Sequence, residues 1–226
     1  MQNQSVQENS DIRALALSQL KGNWLGPVLT TLVYFIISSI ISSIPIPGTS
    51  IGPFDISGTP IPSIALPVLS VLVSGAFSIG LCLYFMNVAR RNNPELANIF
   101  AGFNQFIQAL IAGVLVSIIT FLGTLLFLIP GIIAGLGLSQ TYYIMADEPG
   151  ISAIDAMKQS WEMTKGYKVK ILLLGLSFIP WFFLSIFTLF IGFLWLMPYM
   201  YTSFANLYLQ MRGDKPSLEI QDHLVI

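Results

Sequence analysis

Four small side chains, Ser70, Ser74, Ser78 and Cys82, recur at intervals of four residues, so a helix would carry them on one face. Such a face could serve either of two ends. Small residues let helix backbones approach closely while hydroxyls bond across the contact, and the same hydroxyls could instead line a wet path for a small solute. Packing is the commoner use, and Gly131 with Gly135 repeats the spacing in a later segment. A second set is cationic. Lys158, Lys165, Lys168 and Lys170 gather in and just after "ISAIDAMKQSWEMTKGY", which begins at Ile151. Ser152 and Asp155 have the spacing of a capping box, a helix-start signal. Ile154, Met157 and Trp161 fall on one side of that helix. It either lies against the cytoplasmic leaflet with its lysines on anionic headgroups, or packs beneath a helical bundle with lysines that fix topology.

The remaining chemistry-bearing residues are sparse. Ser38, Ser39, Ser42 and Ser43 precede a Pro/Gly/Ser/Thr loop, residues 45 to 62, whose lone acid is Asp55. The single histidine, His223, lies in the C-terminal tail, so no zinc motif with two histidines and no Ser-His-Asp triad can form. There is no phosphate loop with lysine either. No Asp, Glu, Lys, Arg or His falls within Phe106–Ala146 or between Ile171 and Met211. Proton relays need such groups inside the membrane, so proton-coupled transport is disfavoured. No residue is assigned a catalytic role, no cofactor or metal is expected, and an enzyme is not the expected reading. Cys82 is the only cysteine and reads as a small buried hydrophobe.

The elements that must carry these residues follow from composition. Hydrophobic residues make up 54% of the chain and charged ones 9%, against about 25% charged in a soluble domain. A run such as Phe106–Ala146, about 40 residues, would measure roughly 60 Å as one helix against a hydrocarbon core of about 30 Å. Each long block therefore holds two spans. The Pro/Gly loop divides the first block, Pro130-Gly131 the second and Gly192 the third, while Pro180 and Pro198 kink their helices. The expected architecture is all-α: a polytopic membrane protein of six transmembrane helices, about 24–44, 64–89, 106–129, 131–146, 171–190 and 192–211. These form three hairpins with short interfacial amphipathic helices. Residues 1–23 form a cytoplasmic amphipathic segment and 212–226 a cytoplasmic tail. Glu8, Asp11, Arg13 and Lys21 within the first 23 residues speak against a removable signal peptide.

Charge placement gives an independent check. With six spans, Arg13, Lys21, Arg90, Arg91, Lys158, Lys165, Lys168, Lys170, Arg212 and Lys215, all ten basic residues, fall on one face, as the positive-inside rule requires of the cytoplasmic side. Were Pro130-Gly131 only a kink, the four lysines would face away from Arg90 and Arg91. Net charge is −1, so no bulk field attracts nucleic acid. Three amphipathic segments, from Asp11, Glu95 and Ile151, precede the three hairpins, and Tyr84, Tyr143 and Tyr208 each precede a polar pair and proline. That pattern suggests a threefold repeat.

Several stretches, "LKGNW" at 20–24, "LIPGIIA" at 128–134, "ADEPG" at 146–150, "AMKQSWEMTKGYK" at 156–168 and "LWLMPYMYTSFANLY" at 194–208, together resemble the bacterial domain-of-unknown-function 975 family. The resemblance implies a multi-pass protein of the bacterial cytoplasmic membrane and supplies no activity. More distantly the hairpins are similar to the membrane domain of some glycerophosphodiester phosphodiesterases, whose activity resides in a separate domain and is not carried over. The expected function is a non-catalytic membrane scaffold or accessory component. Its expected partners are the lipid bilayer and another membrane protein or a second copy of the chain, with no nucleic acid. The alternative is a transporter or channel for a small neutral or amphipathic solute along the serine face.

Overall fold

The structure is a computed structural model describing residues 6–42 and 61–214, without the side chains of 40–42 and 61–72. Ser43, Asp55 and most of its loop, Lys215 and His223 lie outside the described residues, as do the side chains of Ser42 and Ser70. Every regular element among the described residues is helical. In chain order they are α1 (Asn9–Leu20), α2 (Leu25–Ser42) and α3 (Ile61–Arg90), then a 3-10 stretch, Leu96–Gln105, that runs into α4 (Phe106–Leu126). There follow α5 (Leu128–Leu138), α6 (Thr141–Asp147), α7 (Ala153–Met163), α8 (Lys168–Leu176), α9 (Ile179–Phe187) and α10 (Phe193–Arg212).

Four stretches are long and apolar enough to cross a membrane: Val73–Arg90, Leu96–Leu126, Leu128–Asp147 and Lys168–Phe187. A fifth is added if α1 and α2, bent by 97° at their junction, count as one. Six are expected from the sequence. The helix that falls short is α10, and its surroundings explain why. Thr202, Ser203 and Asn206 are buried against protein, and a helix enclosed by its neighbours needs no uniformly apolar exterior.

The chain doubles back where the apolar blocks were expected to divide, though not on the expected residues. Between α4 and α5 the break is Phe127, extended at φ −162° and ψ 150°. Pro130 falls in the first turn of α5, where its missing N–H costs nothing. Gly131 serves packing instead, since a Cβ there would collide with Thr124. A Cβ on Gly135 would rest 3.7 Å from Thr120, so α4 and α5 run antiparallel. Before α10 the left-handed residues are Leu189 (φ 52°) and Phe190 (φ 67°), not Gly192. The Phe190 N–H donates to the Ser185 carbonyl at 3.1 Å, which closes the end of α9. Gly192 is needed for close approach, as its Cβ would lie 2.7 Å from Thr188 Oγ1. The Phe178–Tyr199 and Phe182–Phe193 ring contacts, at 5.0 and 5.1 Å between centroids, pair α9 with α10 in antiparallel sense. Pro180 stands immediately after the break between α8 and α9, whereas Pro198 lies inside a continuous α10.

The tightest packing involves α3 and the stretch that follows it. A Cβ on Gly80 would collide with the Ile99 carbonyl, one on Gly102 with the Ala76 carbonyl, and one on Gly75 would lie 2.6 Å from the Ala109 carbonyl oxygen. Leu96–Gln105 therefore runs back along α3 and joins α4 as a single candidate span. The expectation from sequence is a short amphipathic segment from Glu95, separate from a span beginning at about 106. Small residues at the contact remove the side-chain volume that would hold the two backbones apart.

Candidate functional site

The residues singled out from sequence do not share one environment. On α3, Ser74 is exposed, Ser78 is half-buried and donates its hydroxyl to the Ser74 carbonyl at 2.8 Å, and Cys82 is buried. On α5, Gly131 is buried and Gly135 is half-buried. The four lysines all find partners within the chain. Lys158 lies 3.7 Å from Asp155 and Lys165 lies 2.6 Å from Glu162. Lys168 stands 3.7 Å over the Trp161 ring, and Lys170 donates to the Val6 carbonyl at 2.8 Å.

The helix α7 begins as expected. The Ser152 hydroxyl accepts from the Asp155 N–H at 3.1 Å. Its buried face, however, is Ala153, Ala156, Met157 and Ser160, with Ile154 53% exposed, so the inward stripe is turned from the expected Ile154–Met157–Trp161 line. The reason is a polar task. Between α5 and α6 the helix is interrupted at Ser139 and Gln140, and the freed groups need partners in an apolar setting. Ser160 supplies them, donating to the Gly137 carbonyl at 2.8 Å and accepting from the Gln140 N–H at 3.2 Å. Thr164 adds a second donor to Gly137 at 3.2 Å. Trp161 seats over Gly137, where any Cβ would strike its ring. A packed connecting helix, one of the two sequence readings, accounts for these contacts.

Two further polar constellations tie distant segments together, and sequence reasoning missed both. Gln19 of α1 and Asn206 of α10 exchange amide hydrogen bonds of 3.1 and 2.6 Å, and Gln19 also donates to the Ala89 carbonyl at 2.8 Å. Both side chains are buried. At the same end of α3 and α10, Asp147 is the hub of an ionic cluster. One carboxylate oxygen accepts from Arg90 at 2.8 Å, and the other pairs with Arg212 and accepts the Tyr208 hydroxyl at 3.0 Å. Arg90 reaches on to Asp214 at 3.3 Å. The Asp147 side chain is 7% exposed, so its charge depends on these partners. The ends of α3, α6 and α10 are thereby joined at one carboxylate.

A signal for this cluster was present. Asp147 closes one apolar block just as Arg90 and Arg212 close two others, and the common face inferred for all ten cations places the three together. The arrangement can hold helices in register. Among the described residues no three His, Cys, Asp or Glu side chains come together as a metal site.

Comparison with known protein families gives a match over most of the chain. A family model described as "Protein of unknown function (DUF975)" matches residues 1–134 and 124–215. No curated protein and no solved structure matches the chain.

Proposed function

Because the chain belongs to the DUF975 family, which brings no activity with it, we propose from the geometry that it is a non-catalytic component of the bacterial cytoplasmic membrane. It crosses the bilayer six times as three hairpins, with both termini in the cytoplasm, and acts through lipid and through another membrane protein or a second copy of itself. The observation that carries this reading is the division of the helices between two unlike ends. Phe127 is 72% exposed and Phe187 83% exposed at the apolar turns, while Asp147 and Arg212 lie at the far ends of the helices that leave those turns. Phe182, Phe183 and Ile107 extend the exposed apolar surface along the helix flanks, as lipid contact requires. An even number of crossings is supported by the contact between the segment just before α1 and the last turn of α10. The Gln7 N–H donates to Gln210 Oε1 at 3.0 Å, and the Gln210 amide donates back to Gln7 Oε1 at 2.9 Å.

On this reading Ser74 faces acyl chains and not a wet path. In a Cys82→Ser background, Ser74→Cys is expected to resist a small membrane-impermeant thiol reagent, while Asp155→Cys reacts in permeabilised membranes. Rapid labelling at position 74 would overturn the scaffold reading in favour of a solute path along α3, to be measured as flux into vesicles holding this protein alone.

A further inference from the structure

The corner between α1 and α2 opens onto a cavity of about 820 Å³, one wall of which is Gln19, already bonded to Asn206 and the Ala89 carbonyl. Its walls carry Lys21 and Arg91, together with the polar side chains of Ser18, Asn23 and Asn93. Among the described residues no carboxylate lines it. Neither Lys21 nor Arg91 forms an ion pair with a described carboxylate, whereas Arg90 and Arg212 converge on Asp147. The first turn of α2 forms another wall through Leu25, Gly26 and Pro27. The N–H groups of Leu25 and Gly26 have no intrahelical carbonyl to bond, and the positive end of the helix dipole favours an anion there. Tyr84, 1% exposed, also lines the cavity, and its hydroxyl would lie 3.0 Å from a Cβ on Gly26. The buried phenol and the helix start thus form one polar wall.

A second observation gives the ligand a tail. An apolar groove of about 390 Å³ is lined by Leu17, Trp24, Trp181, Trp195 and Tyr199 among others. Leu17 and Trp24 are the chain neighbours of Ser18 and Leu25, so the groove starts beside the cavity, and from there it follows α9 and α10 to Thr188 and Gly192 at their turn. We propose that this corner binds a phosphate-bearing anion, and that its source is an anionic phospholipid, with the phosphate between Lys21 and Arg91 and an acyl chain in the tryptophan groove. The inference rests on the membrane reading above and assigns that reading a specific lipid contact. It places the headgroup at "LKGNW" and Arg91, and not at the four lysines near α7, each of which is already partnered within the chain.

Arg91 permits a test that separates binding from folding. It sits in the left-handed region at φ 56°, the helix-end position that glycine normally fills. Arg91→Gly should therefore leave thermal stability unchanged or raised while removing one phosphate contact. The full chain would be purified from carbonate-washed membranes, incubated with vesicles of phosphatidylcholine containing photoreactive phosphatidylglycerol, and scored for lipid crosslinking. Lys21→Gln and Arg91→Gly together should reduce crosslinking about tenfold, because charge-assisted contacts of this kind are the strong ones and tenfold is a modest loss for two. Lys158→Gln with Lys165→Gln should change nothing. Competition by inorganic phosphate or glycerol phosphate would support the phosphate site and identify a soluble source; its failure to compete supports the lipid. Undiminished crosslinking in the folded Lys21/Arg91 variant would overturn this inference alone. Release of the protein by carbonate would overturn the membrane reading itself.

Discussion

Replacing Asp147 with alanine is expected to cost about 3 kcal/mol of stability. Removing one partner of a buried ion pair costs about 3–5 kcal/mol because the other charge is left uncompensated. The lower end applies here, since the Arg90 and Arg212 side chains keep 27% and 36% exposure and water screens them in part. The variant leaves two guanidinium groups facing one another and deprives the Tyr208 hydroxyl of its acceptor. Asp147→Asn should recover only part of the loss, since an amide can accept the hydroxyl but cannot balance two cations. The measurement is thermal unfolding of the purified protein in detergent. Glu162→Ala, which breaks an exposed pair with Lys165, serves as the control and should shift the midpoint little, as surface pairs are worth at most about 1 kcal/mol. An Asp147→Ala midpoint equal to that of Glu162→Ala would show that the cluster holds nothing together.

Gly80→Leu is expected to do comparable or greater damage by a different route. Even the Cβ would overlap the Ile99 carbonyl, and backbone atoms cannot swing aside as a flexible side chain can. Overpacking a well-fitted site typically costs about 1–3 kcal/mol, occasionally more, and a contact between two backbones belongs at or above the upper end. The damage should be local at first. Leu96–Gln105 would lift from α3, and limited proteolysis should cut there in the variant and not in the native protein. Gly175→Ala is the counterpart, because its new methyl would meet only Phe204 Cζ at 3.9 Å. With space available, the gain in helix propensity of about 1 kcal/mol should appear as a raised midpoint. Equal effects at the two glycines would contradict the packing account.

The all-helical character and most of the apolar spans are legible in the lengths of the uncharged runs. The length of a run against the thickness of a bilayer is a one-dimensional quantity, so the division of Phe106–Ala146 into two antiparallel helices was legible. The turn residue was not. Proline and glycine are the usual interrupters, yet Phe127 takes the extended conformation while Pro130 starts the next helix and Gly131 makes room for Thr124. Leu189 and Phe190 hold positive φ in place of Gly192, at some cost in strain. The inward face of α7 was set by the break at Ser139 and Gln140, which hydrophobic spacing in α7 alone cannot register. Asp147 lies 57 residues from Arg90, so their pairing needed the relation between helices. The serine face of α3 shows the limit of a four-residue spacing: it aligned Ser74, Ser78 and Cys82 without saying what each would meet.

The central claim is that the Asp147 end of the bundle and the Phe127 turn stand on opposite sides of a bilayer. Its most direct measurement is thiol labelling of Phe127→Cys and Gly150→Cys, each in a Cys82→Ser background, with a membrane-impermeant reagent on intact cells and again after permeabilisation. Phe127→Cys is predicted to label from outside, and Gly150→Cys only once the membrane is opened. Labelling of both positions from the same side would contradict the account.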